Sequence, residues 1–99
     1  MRPEAKVAKP FEVGPAVEFN GDLIRQVRMA RGISLVQLAE KTRISVRHLE
    51  NLEADRYDSL PAAVYLRGIL VSVARELSLD GPRVARSYLS FVEARRSKG

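Results

Sequence analysis

The stretch SLVQLAEKTRISVRHLENLE, Ser34 to Glu53, decides how this chain folds. It holds two short runs of helical apolar periodicity, each opened by a serine. Ser34 and Ser45 carry side-chain oxygens able to accept from a free backbone N–H one turn later, so each marks a helix start. The first run buries Leu35, Leu38 and Ala39 and ends near Lys41. Thr42-Arg43-Ile44 makes the turn. The second run buries Leu49 and Leu52 and ends near Ala54. Its cap is single-sided, because His48 stands where a capping box would have Glu or Gln. Two short helices joined by so tight a turn form a helix-turn-helix. Ala39 is small where the helices cross, and Ile44 plugs the turn.

Outward from this pair, Asn20 is a plausible cap for a first helix that runs to about Arg31 with Leu23, Ile24, Val27 and Ala30 on one face. Gly32 stops it, at a position that tolerates positive φ. After the pair, DRYDSL (55–60) is a polar connection anchored by Tyr57 and Leu60. Pro61 reads as first-turn proline of a fourth helix, whose inward face is Leu66, Ile69, Leu70, Val73 and Leu77. Asp80 caps a fifth helix with Pro82 in its first turn. That helix presents Val84, Tyr88, Phe91 and Val92. No strand is expected, so the fold class is all-α with five helices.

Residues 1–18 contain Pro3, Pro10 and Pro15 without helical or strand periodicity, which reads as a flexible tail or linker. Order is expected over residues 19–94, and residues 95–99 read as a basic disordered end. Gly68 stands out in the middle of the fourth helix, since glycine there costs about 1 kcal/mol relative to alanine. Val64, Gly68 and Val71 share the face opposite the core stripe. Close packing of the first or fifth helix is the expectation there, with an exposed apolar groove as the alternative.

Composition bounds the function. The 99 residues carry a net charge of +5, and 13 of the 17 basic residues are arginine. The excess is spread, with residues 1–20 neutral, residues 21–56 at +2 and residues 57–99 at +3. This favours a polyanionic partner only weakly. There is no cysteine and a single histidine, His48, so neither a thiolate nucleophile nor a disulfide is available, and no metal site is expected. No apolar run exceeds six residues and the N-terminus has no secretory h-region, so the expected location is the cytoplasm. Phosphate-binding loops, HExxH and nucleophile elbows are missing; no enzyme activity and no cofactor are expected.

The residue pattern resembles known domains. SLVQLAEKTRISVRHLENLE looks like a lambda-repressor-like (XRE-type) helix-turn-helix. The longer GDLIRQVRMARGISLVQLAEKTRISVRHLENLEADRYDSLPAAVYLRGILVSVARELSLD resembles the RodZ-like cytoplasmic domain, through RxxRG.SL..LA..T.IS...L..LE followed by Y..LP...YLRG and A..L.LD. The likeness covers residues 19–92 and implies two functions. XRE-type domains bind operator DNA, usually as dimers. RodZ-like domains dock on the actin-like filament protein MreB through the region of the fourth helix. The resemblance also implies that Arg28 pairs with Glu53 as a structural ion pair. Where RodZ-like sequences usually carry docking aromatics spaced by four, this chain has Ile69 and Val73. Where XRE-type readers commonly have a glutamine at the start of the second helix, it has Leu35.

The leading expectation is a module that binds double-stranded DNA, with helix 46–54 in the major groove. Arg47 and Asn51, four apart on its outer face, suit guanine and adenine; His48 and Val46 lie beside them. Arg43 and Arg25 would face phosphates, and specific binding calls for a homodimer or a second domain. The alternative is a protein-docking module, with Tyr57, Val64, Arg67 and Val71 contacting an MreB-like filament or another cytosolic protein. The tyrosines and phenylalanines at helical spacing are expected in the core rather than on a platform.

Overall fold

The computed structural model describes residues 18–98, and the expected tail over residues 1–18 lies outside the described residues but for Glu18. The elements are α1 (Gly21–Ala30), α2 (Leu35–Thr42), α3 (Val46–Glu53), a 3-10 turn (Tyr57–Ser59), α4 (Ala63–Glu76) and α5 (Gly81–Lys98). There is no strand among the described residues.

The helix starts follow the caps. Asn20 Oδ1 accepts from Leu23 N–H at 2.9 Å, Ser34 Oγ from Gln37 N–H at 3.0 Å, and Ser45 Oγ from His48 N–H at 3.1 Å. Ser34 also donates in return. Gln37 Oε1 accepts from Ser34 N–H at 2.8 Å, closing a reciprocal capping box. α1 ends at Gly32 with φ +73°, while the equivalent left-handed position after α2 is occupied by Arg43 at φ +63°. A side chain there costs about 1–2 kcal/mol that glycine would not.

α4 begins later than expected. Leu60, held extended ahead of Pro61, and Ala62 both keep β-like backbones, so the proline precedes the helix instead of sitting in its first turn. α5 starts as read, with Asp80 Oδ1 accepting from Arg83 N–H at 3.2 Å.

The core is one cluster. Ile24 and Val27 of α1, Leu38 of α2, and Leu49 and Leu52 of α3 meet the stripe Leu66, Leu70, Val73 and Leu77 of α4. Val84, Ala85, Tyr88 and Val92 of α5 close it from the other side, and Phe19 and Leu60 plug the ends. The α4–α5 contact is the most extensive between helices. Five expected core positions are only half-buried: Leu23 on α1, Leu35 and Ala39 on α2, Ile69 at the edge of the α4 stripe, and Phe91 on α5. Ala30, read on the inner face of α1, is exposed at the helix end.

Backbones approach closely elsewhere than Gly68. A Cβ on Gly21 would lie 2.4 Å from Leu52 O and 2.5 Å from Glu53 O, so α1 starts directly on the end of α3. A Cβ on Gly81 would meet Val71 Cγ1 at 3.0 Å, where α5 starts against α4. A Cβ on Gly68 would meet no neighbouring element within 4 Å. The expected close helix contact is therefore corrected: it falls at Gly81 and Val71, and Gly68 faces open space.

The basic end is also corrected. α5 continues to Lys98, and Arg96 Nη2 donates to the carbonyls of Tyr57 at 3.1 Å and Leu60 at 3.4 Å. Arg95 pairs with Asp58 at 3.2 Å. The arginines read as solvated lock the 3-10 turn to α5.

Candidate functional site

The helix-turn-helix is held from behind by an ion pair and a tyrosine. Arg28 donates through Nε to Glu53 Oε2 at 2.7 Å and through Nη2 to Oε1 at 2.9 Å, and its Nη1 donates to Ile33 O at 2.9 Å. The side chains are 12% and 7% exposed, so the two-point pairing is mostly out of water. Arg28 is thus spent on structure. On the other side Tyr88 Oη donates to Leu52 O at 2.7 Å. Burial, then the neighbouring Asp55 carboxylate, push the Tyr88 phenol well above its ordinary range. Asp55 also accepts from Gly21 N–H at 2.8 Å.

The residues expected to read DNA divide. Arg47 is exposed at the start of α3, and Arg43 is exposed in the turn before it; neither has an ion-pair partner among the described residues. Val46 and His48 are half-buried. Asn51 is mostly buried. It is 8% exposed, and its Oδ1 accepts from Arg56 Nη1 at 3.2 Å. The 55–60 connection covers Asn51 and supplies Arg56 as its partner, so the pair read as sharing an exposed outer face is corrected. Arg47, His48 and Asn51 do line one hollow, together with Glu50, Arg56 and Ser59. Arg25 lies apart, in a second hollow with Arg28, Glu50 and Glu53, and its Nη1 rests 3.5 Å from Met29 Sδ. Glu50 enters both hollows, which puts a negative charge amid the residues expected to face phosphates and bases.

The residues expected to dock a protein divide too. Val64 and Arg67 are exposed on α4. Tyr57 instead packs edge-on against Tyr88, ring centroids 5.8 Å apart, and Val71 lies against Gly81; both are corrected to inward positions. The residue that sequence reading missed is Tyr65. Its type places it in the core, yet it is 71% exposed beside Val64 at 75%. Its signal was available in the register: Tyr65, Ile69 and Ser72 step i, i+4, i+7 along the row beside the Leu66–Leu70–Val73 stripe.

The two surfaces meet. Arg43, Ile44, Ser45 and His48 from the turn and α3 face Tyr65, Gly68, Ile69 and Ser72 of α4 across an open groove of about 490 Å³. Its floor is apolar, and its lining contains no carboxylate. His48 Nδ1 is shielded from water and makes no hydrogen bond.

Compared with known proteins, residues 23–84 match the family described as a helix-turn-helix domain. This chain belongs to that family. The helix-turn-helix domain is also 38% identical over 68 residues to the cytoskeleton protein RodZ of Streptococcus pneumoniae (strain ATCC BAA-255 / R6). That match covers 69% of this chain and 25% of the relative, so the chain spans about a quarter of that protein's length. No solved structure matches significantly. The helix-turn-helix domain is RodZ-like, and its five helices form a lambda-repressor-like bundle. No helix among its described residues is long and apolar enough to cross a membrane.

Proposed function

We propose that this is a noncatalytic, RodZ-like protein-docking module that works at the cytoplasmic side and holds a cytoskeletal partner through the outer face of α4. The observation that carries the reading is the adjacent exposure of Val64 and Tyr65, 75% and 71%, on a helix whose opposite side is fully committed to the core. Contiguous large apolar side chains left in water mark interaction surfaces, and tyrosine is favoured at their centres. Arg67, one turn on, is exposed and has no ion-pair partner among the described residues. The resemblance names an actin-like MreB filament as the partner, and the relative's description as a cytoskeleton protein agrees with that assignment.

The test is co-sedimentation of the full chain with MreB filaments from the same organism. Tyr65→Ala and Val64→Asp should each weaken pelleting about tenfold or more while leaving the thermal melt within a few degrees, since exposed positions contribute little to the core. Undiminished pelleting of both variants would reject α4 as the docking face.

A second reading, binding of double-stranded DNA, rests on Arg43 in the turn and Arg47 at the head of α3, both exposed and without an ion-pair partner among the described residues. It predicts anisotropy binding to a random duplex that falls steeply with salt and is lost in Arg47→Ala. With Asn51 mostly buried and Glu50 on the same face, it is the weaker of the two.

A further inference from the structure

Away from the outer face of α4, one free hydroxyl stands among donors that have no acceptor. Ser59 closes the 3-10 turn, and its N–H donates to Arg56 O at 2.9 Å, so the two residues stand side by side at the ends of one turn. The Ser59 hydroxyl makes no hydrogen bond among the described residues, and the residue is exposed. Ser59 lines the hollow of about 630 Å³ that also takes in Arg47, His48, Glu50, Asn51 and Arg56. Asn51 is 8% exposed, and only its Oδ1 is used, accepting from Arg56 Nη1 at 3.2 Å; its amide N–H groups donate to nothing in the described chain. The Arg47 guanidinium has no hydrogen bond or ion pair there either. Two guanidinium groups, one from α3 and one from the 55–60 connection, thus share one space with a mostly buried amide. Glu50 is exposed at the same hollow and pairs with neither arginine. Asp58, next to Ser59 in sequence, is held by Arg95 at 3.2 Å. Like charges so placed repel. What the set lacks is an anion with several acceptor oxygens.

We propose that Ser59 is a phosphorylation site and that this hollow receives the phosphate, with Arg56, Arg47 and the Asn51 amide donating to its oxygens. The inference rests on neither partner reading, since the contacts lie within the chain. The reaction is phosphoryl transfer from ATP by a protein serine/threonine kinase. Ser59 Oγ bonds to the γ-phosphorus as the bond from that phosphorus to the β,γ-bridging oxygen breaks. ADP leaves with the electron pair, and the hydroxyl proton passes to a base of the kinase. Arg56, three residues ahead of Ser59, gives an arginine-directed kinase a charge to read. Phosphoserine carries about −1.5 to −2 in charge and three strong acceptor oxygens, which suit the paired donors of guanidinium groups. The charged side chains of the lining, two arginines and one glutamate, come to +1 before modification and to about −1 after it. Modification would therefore tie the 55–60 connection to α3 and withdraw Arg47 from anything outside the chain.

The test has two arms, both on the full chain. In the first, phosphoserine is placed at position 59 by genetic-code expansion and compared with the unmodified chain. The second ionisation of the phosphate, ordinarily near pH 6, should fall to about 5 in a phosphorus NMR titration. Tm at neutral pH should rise by about 4 °C or more, and the rise should shrink as salt is added. Arg47→Gln and Arg56→Gln should each reverse most of both changes. Ser59→Ala should melt like the wild type, because the hydroxyl serves no contact within the described chain. A phosphate that titrates near pH 6 with Tm unchanged would overturn the receiving hollow, and so would changes that survive both arginine substitutions. In the second arm, the unmodified chain is incubated with ATP and the catalytic subunit of cyclic-AMP-dependent protein kinase, which is arginine-directed. Tandem mass spectrometry should map the incorporated phosphate to Ser59, and Ser59→Ala should lose it. Incorporation only at other residues, or none, would overturn Ser59 as the acceptor.

Discussion

At the scale of single residues, the helix-turn-helix depends on side chains that touch neither proposed partner. Arg28 and Glu53 are fixed to each other at two points, and Arg28 also satisfies the Ile33 carbonyl, so removing either leaves a largely desolvated charge. Glu53→Ala should lower unfolding free energy by about 3 kcal/mol, measured by urea denaturation, and Arg28→Ala by a similar amount. A double-mutant cycle should show strong coupling between them. Tyr88 gives a pH signature. Its folded phenol is held protonated above the ordinary value, so its contribution is fully present below pH about 10 and is lost as pH rises beyond it. Stability should therefore fall above pH about 10 by up to roughly 1.4 kcal/mol per pH unit from this group. Tyr88→Phe should flatten that alkaline limb, and at neutral pH should cost about 1 kcal/mol for the lost hydrogen bond, the Leu52 carbonyl keeping the Asp55 N–H as a donor at 3.2 Å.

At the scale of elements, much was legible because caps and periodicity are local. Asn20, Ser34, Ser45 and Asp80 start the helices that the sequence assigns to them. Ser45→Ala should cost about 1 kcal/mol, read as a lower urea midpoint with an unchanged slope. What misled the reading was tertiary. Asn51 and Arg47 are spaced as an outer pair on an ideal helix, but the 55–60 connection folds back over one of them and supplies Arg56 as its partner. Tyr65 reads as core by type, yet Leu66 and Leu70 fill the space beneath α4 and leave it in water. Gly68 could be recognised as unusual from sequence alone. That no helix crosses it could not, because that depends on where α5 begins, and α5 begins on Val71.

At the scale of the molecule, α5 is the clasp. It bonds Phe19 N–H through Ser87 Oγ at 2.6 Å, Leu52 O through Tyr88, and the carbonyls of Tyr57 and Leu60 through Arg96. Phe19 also lies under the Arg83 guanidinium, 5.3 Å from the ring centroid. Truncation after Ala94 should therefore lower Tm by several degrees, since the 3-10 turn and the residues after it lose the donor to the Tyr57, Leu60 and Pro61 carbonyls and the Asp58 pair. A truncated chain that melts like the wild type would show that these ties contribute nothing.

The Phe19–Ser87 bond joins positions 68 apart in sequence, and Tyr88 reaches back 36 to the end of α3. During vectorial synthesis the helix-turn-helix emerges long before its clasp. Until α5 follows, the nascent head lacks the tyrosine that seals α3 and the wall that covers Phe19, so it stays open to chaperones and proteases. A ribosome stalled ahead of Ser87 should display a protease-sensitive head; one stalled well past Val92 should display a resistant one.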